Sequence, residues 1–310
     1  GASEWLMHSA QIPVAEYRKY ADGFNPANYD PEAWVSAARE AGMGYIVIGT
    51  KHHDGFALFA SQASDWNAVN ATPSGRDLIR PLAEACRQAG MPLGFYYSQA
   101  QDWINGGATY GGNWDSEQDR DFDDYLDCIA IPQIRELLTS YEPAVLWWDT
   151  PAKMTPERSA RIQAVVQEHA PGILQNDRLG DGASGDFDTP EQRIPNVRPG
   201  RAWETCMTTN ESWGFNAHDH DWKSPALLIS QLCEVVSQGG NYLLNIGPHA
   251  DGTIPDPSLA VLRGIGAWMK VNSAAIRGAS AGPFPHRLPW GFATKQGFMI
   301  KKKKKNWPED

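Results

Sequence analysis

The chain has 310 residues, 42% hydrophobic and 21% charged, enough to bury one large core or two smaller ones. Its net charge of −10 argues against a nucleic-acid binder, and the acidic excess grows once the lysine run 301–305 is set aside. No run of about 18 apolar residues exists, so no membrane span or membrane partner is expected. Cys86, Cys128, Cys206 and Cys233 stand far apart without a CxxC, which disfavours a zinc site or a redox pair.

In chain order, "PEAWVSAAREAG" (31–42) reads as an amphipathic helix stopped by Gly42, and "GYIVIGT" (44–50) as a short apolar strand. A helix over 75–90 ends at Gly90, where a left-handed cap is easy, and "MPLGFYYS" (91–98) follows as a strand. A long helical stretch covers 119–141, with Pro132 expected to kink it. "AVLWWD" (144–149) is a strand, 155–170 a helix and "GILQND" (172–177) a strand. The Gly-, Asp- and Pro-rich region 180–223 reads mostly as loop, with a strand over 201–207. A helix over 224–240, a strand over 241–247 and a helix over 256–276 complete the order.

Strands that alternate with helices imply an α/β fold with a parallel sheet and helices outside it. The strand number and chain length favour a TIM-like (β/α) barrel over an open doubly wound sheet. No GxGxxG follows a strand and no Walker-type loop is present, so no nucleotide cofactor, and no cofactor of any kind, is expected.

In such a barrel the active site lies at the C-terminal strand ends. Those ends carry His52, His53 and Asp54; Tyr96, Tyr97 and Ser98; Asp149; Asn176, Asp177 and Arg178; Trp203 and Glu204; and Asn245. Neighbouring strand residues point to opposite faces, so His52 and His53 make a poor chelate, and no metal is expected. Asp149 ends an apolar run, where a carboxylate must be paired, hydrogen-bonded or used. Hydrolysis of a glycoside uses two carboxylates. Glu191 in "DFDTPEQ", on a loop free to swing, and Glu204 in "RAWETCMT" are the candidates for the second. Thirteen tryptophans lean the same way, since flat aromatic faces bind sugars.

Several motifs occur in order between about Glu4 and Gly291. They are "YRKYADGFNPANYDPEAWVSAAREAGMGYIVIGTKHHDGFALF", "WNAVNATPSGRDLI", "LGFYYS", "LWWDTP", "DFDTPEQ", "WETCMTTNESWGF" and "NYLLNIGPHADGTIP". Together they resemble the α-L-fucosidases of glycoside hydrolase family 29. The resemblance implies a (β/α) barrel that removes terminal α-L-fucose from oligosaccharides or glycoconjugates with retention of configuration. It implies that Asp149 is the nucleophile and that His52, His53, Tyr97, Trp147 and Arg178 bind fucose, with Glu4 and Trp5 as a further contacting pair. Trp203 is placed with the binding set beside Glu204. The "TPEQ" and "WETCM" motifs resemble the subgroup that prefers α-1,3 or α-1,4 fucose, in which the "TPE" glutamate is the acid/base. Glu191 is therefore taken as acid/base, with Glu204 as runner-up.

The resemblance also implies a strand with a His-Trp-Gly motif ahead of the first one found here, and a β-sandwich after the barrel. The expected organisation is a barrel over 1–293 that lacks its first strand, then a low-complexity tail over 294–310 left from a truncated sandwich. A fucose-binding remnant without turnover, and a barrel glycosidase for another sugar, remain as alternatives. The implied compartment is periplasmic or secreted; a start at Gly1 gives no direct reading of it.

Overall fold

The computed structural model describes residues 3–284, 289–296 and 299–304, with side chains for 4–284 and 289–296. Four parallel strands form one sheet in chain order: β1 (Ile46–Lys51), β2 (Leu93–Tyr97), β3 (Val145–Trp148) and β4 (Leu174–Gln175). Two more, β5 (Glu204–Thr208) and β6 (Asn241–Asn245), pair in parallel. Single bridges from Asn176 to Phe187, Asp188 to Trp203 and Glu191 to Cys206 carry the backbone pairing from β4 across to β5. The fold is thus α/β with parallel strands, as the alternation predicts.

β4 is only two residues long where the apolar run predicts six, and the reason is Asn176. Its side chain accepts from Trp148 N at 2.8 Å and donates to Trp148 O at 2.9 Å, taking over the pairing that backbone would make.

The first short helices are α1 (Leu6–Ser9) and α2 (Val14–Arg18). The outer layer holds α3 (Pro31–Glu40) and α4 (Ile79–Ala89). Asp30 caps α3 through Ala33 N, and Asp77 caps α4 through Ile79 N and Arg80 N. The stretch expected over 119–141 divides into α5 (Phe122–Tyr125), a π-turn over Leu126–Ala130, and α6 (Ile131–Tyr141). Pro132 lies in the first turn of α6, where its missing N–H does least harm, and the wide turn precedes it. α7 (Pro156–His169), α8 (Pro225–Ser237) and α9 (Asp256–Asn272) follow. The large core lies between the four-stranded sheet and α3, α4, α6 and α7. A second core joins α8, α9 and β6. α9 packs on both α8 and α3.

Among the described residues β1 has β2 as its one neighbouring strand and β6 has β5, while the end of β1 also bridges to Ala57 through Lys51 and takes a bond from Leu58 N to Thr50 O at 2.9 Å. Their other edges line one cavity of about 1590 Å³, which runs from residues 45–49 and 241–246 to the C-terminal strand ends.

The chain then forms an antiparallel sheet of β7 (Ser280–Ala281), β8 (Gly291–Gln296) and β9 (Met299–Lys304). β8 runs through the boundary expected at 293, and most of the lysine run is strand β9 rather than tail. Phe292 and Ala293 are buried, which anchors β8, and backbone pairing with β8 places β9 regardless of side-chain type. Residues 305–310 lie outside the described residues.

Candidate active site

The C-terminal strand ends converge as expected. Strand alternation decides which side chains face inward. Tyr96 and Trp147 are register partners on β2 and β3, so they share a face. Their rings stack at 5.8 Å, and His52 stacks on the other side of Tyr96 at 5.3 Å. The Arg178 guanidinium lies 4.8 Å over Trp147, which completes a row His52–Tyr96–Trp147–Arg178 along one wall.

Asp149 follows β3 directly. Thr150 takes φ +49°, a left-handed conformation that costs a β-branched residue about 1–3 kcal/mol. The chain turns away there, and the carboxylate is left in the cavity. Tyr96 Oη donates to Asp149 Oδ2 at 2.8 Å, and Arg178 Nη1 donates to Asp149 Oδ1 at 2.9 Å. The same Nη1 donates to Glu191 Oε2 at 2.9 Å. The rest of Arg178 is held by Thr189, through Nε to Oγ1 and Nη2 to the carbonyl, both at 2.9 Å. Burial is the largest single influence on the Arg178 pKa and lowers it, but Asp149, Cys206 and Glu191 together outweigh it, and the net effect is upward.

Glu191 lines the cavity and its carboxylate is partly exposed. Its backbone is not a free loop: it bridges to Cys206, with Gln192 N donating to Cys206 O at 2.9 Å. The expected swing is therefore limited to the side chain. Cys206 lies beside the same arginine, and burial pushes its thiol up to about 12.

His53 is buried, with Nδ1 2.7 Å from Ser98 Oγ and Nε2 3.8 Å from Asp149 Oδ2. Burial, then the neighbouring His52 and Lys51, lowers its pKa to about 2, so the ring is neutral. Burial also lowers His52, against the charges of Asp54, Asp149 and Glu4. Glu4 and Trp5 line the cavity at its N-terminal side, and Trp5 meets the His53 ring edge-on at 5.0 Å.

Three expected site residues lie elsewhere. Tyr97 is a correction: it points outward, fully buried, and its hydroxyl donates to Gln133 Oε1 at 2.8 Å. Tyr96, one residue earlier, has the inward position. Trp203 is buried behind Gly240, where an added Cβ would meet its ring at 2.4 Å, and does not itself line the cavity. Glu204 is buried beneath the wall. It accepts from Trp147 Nε1 at 2.9 Å and from Tyr45 Oη, and it does not line the cavity. Burial raises its pKa, against both of those donors.

Other residues at the site carry no sequence signal of their own. Gln99 is buried; its Oε1 accepts from Asp149 N at 3.0 Å, while Nε2 donates to the carbonyls of Arg178 and Leu179 at 2.8 and 3.0 Å. Lys51 is buried on the outer face, between Asp102 at 3.2 Å and Tyr125 Oη at 2.8 Å. Gly55 makes that pair possible, since a Cβ there would lie 2.1 Å from Asp102 Oδ1. Trp213 reaches the cavity through its loop, which Asn245 holds by donating to Trp213 O at 2.6 Å. Among the described residues, no group of three or more His, Cys, Asp or Glu side chains is placed to hold a metal, and no helix is long and apolar enough to cross a membrane.

The site is thus a set of carboxylates and stacked aromatics at the strand ends of a parallel α/β scaffold. The family profile described as alpha-L-fucosidase matches residues 2–274, and the chain belongs to that family. It is 29% identical over 276 residues to an alpha-L-fucosidase of Dictyostelium discoideum, covering 85% of this chain and 59% of that one. It is 33% identical over 285 residues to the human plasma alpha-L-fucosidase, covering 87% and 60%. The chain thus spans about 60% of the length of these two relatives. Among solved structures, alpha-L-fucosidase isoenzyme 1 of Paenibacillus thiaminolyticus superposes with a TM-score of 0.89 at 41% identity, over 96% of this chain and 76% of that one. AlfC of Lactobacillus casei, solved in complex with alpha-L-fucose product, gives 0.80 at 37% identity, over 87% and 88%.

Proposed function

We propose that the chain is the catalytic barrel of a retaining exo-α-L-fucosidase acting on fucosylated oligosaccharides, with Asp149 as nucleophile and Glu191 as acid/base. One observation carries the assignment of the pair: both carboxylates accept from the same Arg178 nitrogen at 2.9 Å. Twice that distance is the farthest apart those two oxygens can lie, which agrees with the separation of about 5–5.5 Å used by retaining glycosidases. Backbone pairing that continues from β1 to β6 supports a TIM-like barrel.

In this reading Asp149 attacks C1 of fucose and forms an ester bond. The C1–O bond to the leaving sugar breaks, and its electron pair stays on that oxygen, which takes a proton from Glu191. A water then attacks C1, gives its proton to Glu191, and Asp149 departs. Glu191 lets go of Arg178 by side-chain rotation as the sugar enters, because its backbone is fixed on β5. The "TPE" and "WETCM" motifs support a preference for α-1,3 or α-1,4 linkages.

The test is hydrolysis of an aryl α-L-fucoside followed by NMR, with α-fucose expected as the first anomer. Turnover of other aryl glycosides instead, or fucose binding without turnover, would replace this reading. Asp149→Gly should lose turnover and regain part of it with azide, releasing a fucosyl azide.

A further inference from the structure

Ser98 follows β2, is fully buried, and does not line the cavity of the site. Its hydroxyl has two partners: the Gln101 carbonyl at 3.1 Å and His53 Nδ1 at 2.7 Å. A carbonyl can only accept, so the single Ser98 proton goes to Gln101 O, which also takes one from Lys51 Nζ at 3.3 Å. Ser98 Oγ then turns its lone pairs to Nδ1, and that nitrogen must donate. A neutral imidazole carries one N–H, so Nε2 is left bare. Nε2 faces Asp149 Oδ2 at 3.8 Å, two acceptors too far apart for a hydrogen bond and with no charge on the ring to make an ion pair.

We propose that Ser98 is a positioning residue that holds His53 as its Nδ1–H tautomer, so that Nε2 meets the sugar only as an acceptor of a hydroxyl proton. The identity of the sugar rests on the fucosidase reading; the tautomer does not. The opposite tautomer would aim a second donor, its N–H, at Asp149 Oδ2, which already accepts from Tyr96 Oη, and would leave no acceptor for the sugar on the ring's cavity side. Trp5 at 5.0 Å, Trp103 at 5.7 Å and His52 at 4.0 Å hold the ring plane, so the tautomer is the remaining degree of freedom. Ser98 N donates to Lys51 O at 3.0 Å, which fixes the hydroxyl relative to the end of β1.

Long-range ¹H–¹⁵N correlation spectra of the full chain labelled at histidine test this, with His53→Asn used to assign the signals. The expected pattern is a proton on Nδ1, an unprotonated Nε2, and no titration between pH 8 and pH 5. Saturating fucose should move the Nε2 resonance in the direction of an accepted hydrogen bond. In Ser98→Ala the proton should relocate to Nε2, and kcat should fall about tenfold, the size of one neutral hydrogen bond. Ser98→Thr, which keeps the hydroxyl, should restore the wild-type pattern. A wild-type proton on Nε2 or an unchanged tautomer in Ser98→Ala would each overturn the proposal, and so would an Nε2 signal indifferent to saturating fucose in a chain that turns over aryl fucosides. A wild-type Nδ1–H pattern and an Nε2 response to fucose in a chain without fucosidase turnover would instead remove the catalytic reading and leave the role of Ser98 standing.

Discussion

Asp149 and Glu191 are joined through a single atom, Nη1 of Arg178, which donates to an oxygen of each at 2.9 Å. The arginine therefore does more than offset charge: it sets the spacing of the two acids before any sugar arrives. Arg178→Ala would leave two carboxylates together without a cation, and breaking a buried charged contact costs about 3–5 kcal/mol. We expect kcat/KM on an aryl fucoside to fall by at least about a hundredfold. Arg178→Lys, a point charge without the fork, should recover only part of it. Equal activity of Arg178→Lys and wild type would argue against the spacing role.

The two tyrosines of "FYYS" should separate cleanly. Tyr96→Phe removes the hydroxyl on Asp149 and should lower kcat by about tenfold with little change in melting temperature. Tyr97→Phe removes a buried bond to Gln133 and should lower stability by about 1 kcal/mol with activity intact. Kinetics and thermal melts of the pair check both halves; the opposite pattern would return Tyr97 to the sugar.

Glu191 and Glu204 should respond differently to the leaving group. A general acid matters most when the leaving group is poor. Glu191→Ala is expected to lose far more activity on a fucosylated oligosaccharide than on a dinitrophenyl fucoside. Glu204→Ala should lower both alike, because Glu204 supports Trp147 from below. A leaving-group-dependent loss in Glu204→Ala would transfer the acid role to it.

Glu204 also has a pH signature. Burial raises its pKa in the folded chain. The folded state therefore holds the proton over a range in which the unfolded chain has released it, and stability falls as pH rises above the ordinary glutamate value. Glu204→Gln keeps a neutral group and should abolish that fall. Melting curves should coincide near pH 4 and favour the variant at pH 8; a variant less stable at pH 8 than at pH 4, relative to wild type, would contradict the assignment.

Gln99 gives a test of ordering. Its amide donates to two carbonyls and accepts from Asp149 N. Gln99→Glu puts an oxygen against those carbonyls, while Gln99→Ala leaves them merely unpaired. The nearly isosteric change should thus be the more harmful, both in melting temperature and in kcat. Glu outperforming Ala at this position would show that the amide donors are not used.

Much of this site can be read from the chain alone, because apolar runs that stop at polar residues mark strand ends. Asp149, Arg178, His52 and His53 sit where those ends predict. The choice between Tyr96 and Tyr97 was not legible: two adjacent aromatics both suit a strand, and only register with Trp147 decides which faces inward. Ser98 was legible as a strand-end residue but its role was not, and Gln99 was not legible at all, since both depend on partners far along the chain. The strand at the lysine run was hidden because it is defined by backbone pairing with β8, which no pattern in 299–304 announces.

The free edges of β1 and β6 have a consequence for handling the protein. β6, and β1 as far as Gly49, present backbone to the cavity with no partner strand on that side among the described residues. Such edges act as templates for any extended segment nearby, including one from a neighbouring molecule. Self-association should accordingly grow with protein concentration, even below the melting temperature; the net charge of −10 opposes it, so added salt should hasten it.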